Sequence, residues 1–489
     1  MAETKPSERS DRIAKLTELR AHGVDPYPAV TNRDYMIGDV LAEFSALEEK
    51  GDSLTIAGRL RSLRAHGNLT FADLEDNSGR IQLVFSKKDL EGDAYKTITK
   101  YIDTGDFLEA VGQAFTTQAG QQSLKVSSFR LLTKSLRPLP DKWHGLQDEE
   151  EKLRKRYLDI LMNPELKEVI RKRARFWQSM REFLVARGFL EVETPVLETT
   201  TGGADARPFV THHNALDIDV FLRISAGELW QKRLMVAGFD KTFEIGRQFR
   251  NEGMSHEHLQ DYTQMEFYWG YADYEKGMEL VQELYRHVAQ ETFGTLKFAI
   301  GDFSVDLGAE WETYDYRSII KDKTGIDIDT AQISDIEKTL KKLKINYDEN
   351  GFNITRAIDN LWKFCRKSIA GPGFLVNVPV VMEPLAKRKT DNPELVQRFQ
   401  VILAGSEMGK GYSELNDPID QAGRFADQQK LRDAGDEEAQ MNDNEFVEAL
   451  EYGMPPTCGF GVSERLFSFL ADMSAREAQI FPLMRPKNE

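Results

Sequence analysis

The sequence predicts a multidomain α+β chain, and three observations carry that prediction. Residues 53–134 break into short runs of alternating apolar and polar residues, the pattern of a small all-β domain. Residues 243–274 read as two longer strands joined by a polar loop. Helical patterns, the longest over residues 165–187, surround that hairpin. At 489 residues the chain is long enough for two or three domains. We divide it into an N-terminal helical extension (1–50), a barrel (51–138), a linker (139–160) and a larger domain (161–489).

Composition is ordinary for a globular protein, at 40% hydrophobic and 29% charged. No apolar run approaches the roughly 18 residues of a membrane span, and the first residues lack the apolar core of a secretory signal. Cys365 and Cys458 form no CxxC pattern, which leaves a disulfide framework or cysteine zinc site without support and fits a reducing cytoplasm. The formal charge of −16 argues against nonspecific coating of nucleic acid, since phosphate contacts need Lys and Arg in numbers. Residues 51–140 carry 12 Lys and Arg against 10 Asp and Glu, or +2, so the remainder carries −18. A local basic surface on the barrel is compatible with that balance.

Residues 8–23 place Ile13, Leu16 and Leu19 on one helical face, and Gly23 and Pro26 end the helix. Five strand patterns follow, at 54–60, 69–74, 80–85, 107–112 and 123–130, with Asn77-Ser78-Gly79 as a hairpin turn and one helix expected from Lys88 to Lys100. Five strands with a helix before the fourth predict a closed barrel of the OB type. Such barrels stack single-stranded bases on aromatics of one face. Phe71 and Gln82 are the candidates, while barrel core is the competing reading of Phe71.

Leu136 to Leu146, punctuated by prolines, and the charged run from Asp148 to Arg156 read as the linker. The helix at 165–187 stops at Gly188 and leads to a strand over 189–194 that Pro195 terminates. In the paired glycines Gly202 and Gly203, either a close approach of backbone to ligand or a simple turn is served. His212 and His213 are adjacent and face opposite ways on a strand, so they do not form a metal pair.

Along the second strand of the hairpin, Tyr262, Gln264, Glu266 and Tyr268 share one face, and Met265, Phe267, Trp269 and Tyr271 the other. The second set is the underside of a sheet. The first, with Arg250 and Glu252 from the preceding run, is either a wet polar face or a floor built to hold a charged ligand. Near the C-terminus, Glu407 and Glu414 are separated by Gly409 and Gly411, where a bulge would turn both carboxylates to one side. They suggest Mg²⁺ and a cationic substrate, with an exposed acidic turn as the alternative. Finally, Gly459 to Leu470 runs from a glycine-rich strand into an apolar helix.

Taken in order, these segments resemble the class II aminoacyl-tRNA synthetases over nearly the whole chain. The helix over 165–187 with the strand Phe189 to Pro195 resembles motif 1, Phe249 to Glu266 motif 2, and Gly459 to Arg465 motif 3. The stretch from Phe189 to Glu266 is similar to the lysyl-tRNA synthetases of that class. The resemblance implies an antiparallel catalytic sheet flanked by helices, a homodimer built on motif 1, and an anticodon-binding barrel with Phe71, Gln82 and Gln121 as readers. Gln121 stands where the family commonly has Glu.

Further roles follow from the resemblance. Arg250 would hold the α-phosphate of ATP, His258 and Arg465 the γ-phosphate, Tyr262 the adenine, with Glu252 beside the nucleotide. Arg250 and Arg465 are the catalytic pair. Glu228 would hold the substrate's α-ammonium, with Gly203 and Glu266 near it, and Tyr268 and Glu414 the lysine ε-ammonium. Glu407 matches a Mg²⁺ ligand. The family's second ligating Glu is Gln400 here, and an Asn beside the substrate is Lys410, so Lys410 is expected to take over part of a metal ion's role. Implied partners are L-lysine, ATP and tRNA(Lys). An aspartyl- or asparaginyl-type relative and a noncatalytic RNA-binding paralogue are the rival readings.

Overall fold

Alternation in the N-terminal strands becomes a closed barrel in the computed structural model, which describes residues 7–90, 93–140, 148–204, 206–253, 255, 257–347, 352–436 and 438–487. Residues 1–6 of the expected extension and 141–147 of the expected linker lie outside the described residues. By internal contacts the chain divides into Met1–Lys152 and Leu153–Glu489.

The first unit holds β1 (Leu54–His66), β2 (Leu69–Glu75), β3 (Arg80–Ser86), β4 (Phe107–Thr116) and β5 (Gln122–Thr133) in the order β1-β2-β3-β5-β4, with β4 paired to β1. Asp76 sets the β2–β3 turn, its Oδ1 accepting from Ser78 N at 2.7 Å and Gly79 N at 3.0 Å. Ala72, Leu74, Ile81, Leu83 and Phe85 point into the barrel core. Helix Glu8–Ala21 is capped by Ser7 and buries Leu16 and Leu19. The helix before the fourth strand is shorter than expected, spanning Ala94–Lys100.

The second unit contains β6 (Leu190–Glu191), β7 (Leu197–Glu198), β8 (Val210–His213), β9 (Ile218–Leu222), β10 (Lys241–Phe249), β11 (Asp261–Gly270), β12 (Lys297–Ile300), β13 (Phe303–Asp306), β14 (Glu312–Asp315), β15 (Gly373–Val376), β16 (Arg398–Leu403), β17 (Ser406–Ser413) and β18 (Thr457–Ser463). Eight of them form one sheet in the order β14-β15-β16-β17-β18-β11-β10-β6. Its six central strands are antiparallel, while the end pairs β14–β15 and β10–β6 are parallel, so the expected antiparallel sheet is mixed at its edges. The expected strand at 189–194 pairs over only two residues, because β6 meets β10 only at Thr242 and Phe243, near its start.

One face of this sheet packs Met265, Phe267, Phe399, Val401, Phe460 and Val462 under helices Pro164–Val185 and Tyr274–Phe293. The ridge of apolar residues on each helix supplies the other half of that core. Tyr271 is a correction: it lies past the end of β11 at φ 61° and is exposed, rather than continuing the underside. The opposite face carries the polar row. Among the described residues no helix is long and apolar enough to cross a membrane.

Candidate active site

The polar face of β11 forms the floor of a cavity of about 430 Å³. Gln264, Glu266 and Tyr268 stand opposite Ser463, Gly461 and Gly459 of β18. Glycine leaves room for the floor at two of those places. A Cβ at Gly461 would lie 3.1 Å from Glu266 Cγ, and one at Gly459 would come 2.7 Å from the Tyr268 ring. The alternating glycines of the last strand therefore keep the floor open, a use that their spacing alone did not reveal.

Glu407 and Glu414 reach the cavity by the route the glycines suggested. In the β16–β17 pairing, Gln400 opposes Lys410 but Ile402 opposes Glu407, so β17 carries one extra residue between them, with Gly409 at φ 124°. Glu414 follows the strand's end, its N–H bonded to Thr457 O at 2.8 Å. All twelve candidate residues of the larger domain line this cavity: Gly203, Glu228, Arg250, Glu252, His258, Tyr262, Glu266, Tyr268, Glu407, Lys410, Glu414 and Arg465.

They separate by charge. At one end, Glu266 accepts from Ala226 N–H and Gln264 Nε2 at 2.7 Å each, and from Tyr268 OH at 3.1 Å. Burial, with Glu228 nearby, pushes the Glu266 carboxyl up to about 7. Burial also raises Glu414 well above the usual carboxylate range, opposed by Lys232. The Tyr268 phenol is buried among these carboxylates and stays protonated. Glu414 is thus not a bare carboxylate: Lys232 Nζ lies 2.5 Å from it and 2.7 Å from Glu228. Sequence reading missed Lys232, and also Tyr412, whose hydroxyl donates to Glu228.

At the other end, Arg250 donates to Ile224 O at 3.3 Å with its guanidinium 5.7 Å from the Tyr262 ring centroid. His258 sits at the exposed rim, its Nδ1 2.8 Å from Ser255 Oγ. Burial lowers the Arg465 guanidinium to about 10, which leaves it charged at neutral pH. Its partner is Glu257, a loop residue absent from the expected set. The neighbouring Glu464 is occupied elsewhere, 2.5 Å from Arg173 and 3.2 Å from Thr263 N, and ties the start of the last helix to helix Pro164–Val185.

Between the ends, Glu383 is shared by two cations, Arg398 at 2.6 Å and Lys410 at 3.1 Å. Arg398 also donates to Gln400, so that amide is committed to an arginine. Glu407 accepts from Trp362 Nε1 at 2.6 Å. Among the described residues no group of three or more acidic, His or Cys side chains is placed to hold a metal. His212 binds Asp219 at the surface.

In the barrel unit, Ala72 and Leu74 turn inward and Phe71 outward, half-buried, which overturns the core reading of Phe71. Gln82, diagonal to it across β2 and β3, accepts from Ser123 Oγ at 3.0 Å. Gln121 is exposed just before β5, two residues ahead of the Ser123 that pairs with Gln82.

The family model for class II tRNA synthetases of the D, K and N type matches residues 148–485. The chain belongs to that family. The model for the OB-fold nucleic acid binding domain matches residues 54–132. Among curated proteins, a lysine–tRNA ligase of Roseiflexus sp. strain RS-1 is 43% identical over 98% of this chain and 99% of its own length. A lysine–tRNA ligase of Thermoanaerobacter sp. strain X514 is 44% identical over 98% and 96%. One of Thermotoga maritima is 40% identical over the same shares.

Proposed function

We propose that the protein activates L-lysine with ATP and transfers it to the 3′ end of tRNA(Lys). The observation that carries this reading is the two-ended cavity, acidic at Glu228, Glu266 and Glu414 and cationic at Arg250 and Arg465. A diamino acid fits the first end and a polyphosphate the second. An aspartyl- or asparaginyl-type pocket would keep carboxylates for the α-ammonium but would need a donor where Glu414 stands for the side chain.

In the first step, a lysine carboxylate oxygen attacks the α-phosphorus, and the bond to the pyrophosphate oxygen breaks. Arg250 offsets charge on the α-phosphate as it becomes five-coordinate, and Arg465 with His258 holds the leaving pyrophosphate. Tyr262 stacks on adenine and Glu252 lies beside the nucleotide. Glu228 and Glu266 orient the α-ammonium, with Gly203 giving room: its φ is 87°, and a Cβ there would lie 2.7 Å from Glu228 Cβ. Tyr268 and Glu414 bind the ε-ammonium. In the second step the tRNA hydroxyl attacks the acyl carbon and AMP leaves.

For Mg²⁺ the residues offer one carboxylate, Glu407, and no cage. That fits an ion carried in on ATP phosphates, since Mg²⁺ is commonly held by one or two carboxylates plus substrate oxygens. When bound, it supplies positive charge to the phosphates. Lys410 and Arg398 share the single Glu383 charge, so one positive charge is left over beside Glu407. This surplus supports Lys410 as a fixed cation for substrate carboxylate or phosphate.

The barrel would read the anticodon through Phe71, Gln82 and Gln121. A homodimer is supported by exposed apolar residues in and soon after the segment expected to build it, Val185, Leu190, Val196, Leu197 and Val210. A cytoplasmic setting suits the two buried unpaired cysteines. The direct test is charging of tRNA(Lys) with labelled L-lysine, with tRNA(Asp) and aspartate as control. Charging by aspartate and not lysine would overturn the reading.

A further inference from the structure

Behind the acidic end of the cavity lies a cation that does not line it. Lys232, on helix Glu228–Val236, has a side chain 1% exposed and reaches the cavity only through its two partners. Its Nζ is 2.7 Å from Glu228 Oε1 and 2.5 Å from Glu414 Oε2. Each carboxylate therefore commits one oxygen to Lys232. The other oxygens face the glycines of the wall: a Cβ at Gly203 would meet Glu228 Oε2 at 2.9 Å, and one at Gly459 would meet Glu414 Oε1 at 2.1 Å.

The groups packed around this amine come from four elements. Glu228 is on its own helix, Tyr412 is on β17 with Glu414 just after it, Glu266 and Tyr268 are on β11 beyond Glu228, and the Phe446 ring of helix Asn444–Glu451 lies 5.9 Å from Nζ. When all three are ionised, Glu228, Glu266 and Glu414 contribute three negative charges, and Lys232 contributes one positive. The difference is two.

We propose that Lys232 is a positioning residue for the amino-acid substrate, holding Glu228 and Glu414 by one oxygen each and setting the spare negative charge of the pocket at two. Two is the number of ammonium groups on a diamino acid. This rests on the lysine activation proposed above. A buried ammonium with two carboxylates also stabilises the fold, because unpaired charges there are strongly unfavourable. Charge-setting differs from that role in what it does to pH dependence. Without Lys232 the carboxylates lose their nearest cation, and their proton affinity rises. The pH above which lysine binds well must then move upward.

The test uses the full chain and its lysine- and ATP-dependent pyrophosphate exchange between pH 6 and 9. In Lys232→Gln, which keeps a donor without the charge, the midpoint of the lysine KM profile is expected to rise by about one pH unit or more. Lysine KM at pH 7 should rise about tenfold, while ATP KM stays within about twofold and Lys232→Arg keeps the original midpoint. A midpoint unchanged in Lys232→Gln overturns the proposal. On the unaltered protein, which needs no variant to fold, 1,5-diaminopentane should compete with lysine at least about tenfold better than pentylamine. Equal competition by the two amines also overturns it. If the unaltered protein shows no lysine-dependent exchange at all, it is the underlying activity that fails.

Discussion

The carboxylate of Glu257 pairs with the guanidinium of Arg465 at the nucleotide end of the cavity, and Ser406 donates to the same oxygen at 3.3 Å. An anionic side chain thus sits on the cation proposed for the γ-phosphate. ATP must displace it. For a pair this close to solvent, with Glu257 30% exposed, the contact is worth up to about 1 kcal/mol. Glu257→Gln is therefore expected to lower the ATP KM about fivefold in pyrophosphate exchange and to leave the lysine KM unchanged. A higher ATP KM would mean that Glu257 orients Arg465 for the phosphate instead.

The Glu266 carboxyl, pushed up to about 7, gives the lysine site a pH dependence. Below that value it holds a proton and offers an ammonium no charge; above it the charge is present. Lysine KM should fall as pH rises from 6 to 8, approaching tenfold per unit on the acid side for a single proton. Steady-state KM at constant ionic strength checks this, and a flat profile would show that Glu266 does not titrate where lysine binds.

Much of this site was legible because a strand has a period of two. Alternation alone separates Tyr262, Gln264, Glu266 and Tyr268 from Met265 and Phe267, and a glycine between two carboxylates announces a bulge. What alternation does not supply is register between strands distant in sequence. That Gly459 and Gly461 stand under Tyr268 and Glu266 depends on how β18 slides against β11. That Lys232 meets Glu414 depends on a helix and a strand end from opposite parts of the domain. In a sequence, Lys232 is one charged residue on a helix, and Glu257 one more acid in a polar loop. The strand over 189–194 is shorter than expected for the same reason: Leu190 and Glu191 pair in register with Thr242 and Phe243, after which only Val192 N–H still bonds to β10 backbone, at Phe243 O.

Gln400 and Lys410 offer a test of the fixed-cation idea. Together, Gln400→Glu and Lys410→Asn remove one positive charge and add one negative beside Glu407. The double variant should need more Mg²⁺ for half-maximal exchange, by about threefold or more, and should bind ATP more weakly than the parent in calorimetry without Mg²⁺. An unchanged Mg²⁺ requirement would remove Lys410 from the phosphate end.

The half-buried outward ring of Phe71 should act on tRNA alone. Stacking of a base on an aromatic is worth about 1–3 kcal/mol, so Phe71→Ala is expected to raise the tRNA KM about fivefold or more. Pyrophosphate exchange, which needs no tRNA, should be unaffected. A loss of exchange in this variant would mean that the substitution unfolds the barrel unit or that the barrel bears on activation.

The most direct measurement is amino-acid-dependent exchange of pyrophosphate into ATP, with each of the twenty amino acids supplied singly and without tRNA. Exchange with L-lysine alone is expected, since the acidic end offers two spare negative charges and the cationic end a polyphosphate seat. Exchange with aspartate or asparagine, or with none of the twenty, would contradict a cavity built to join lysine to ATP.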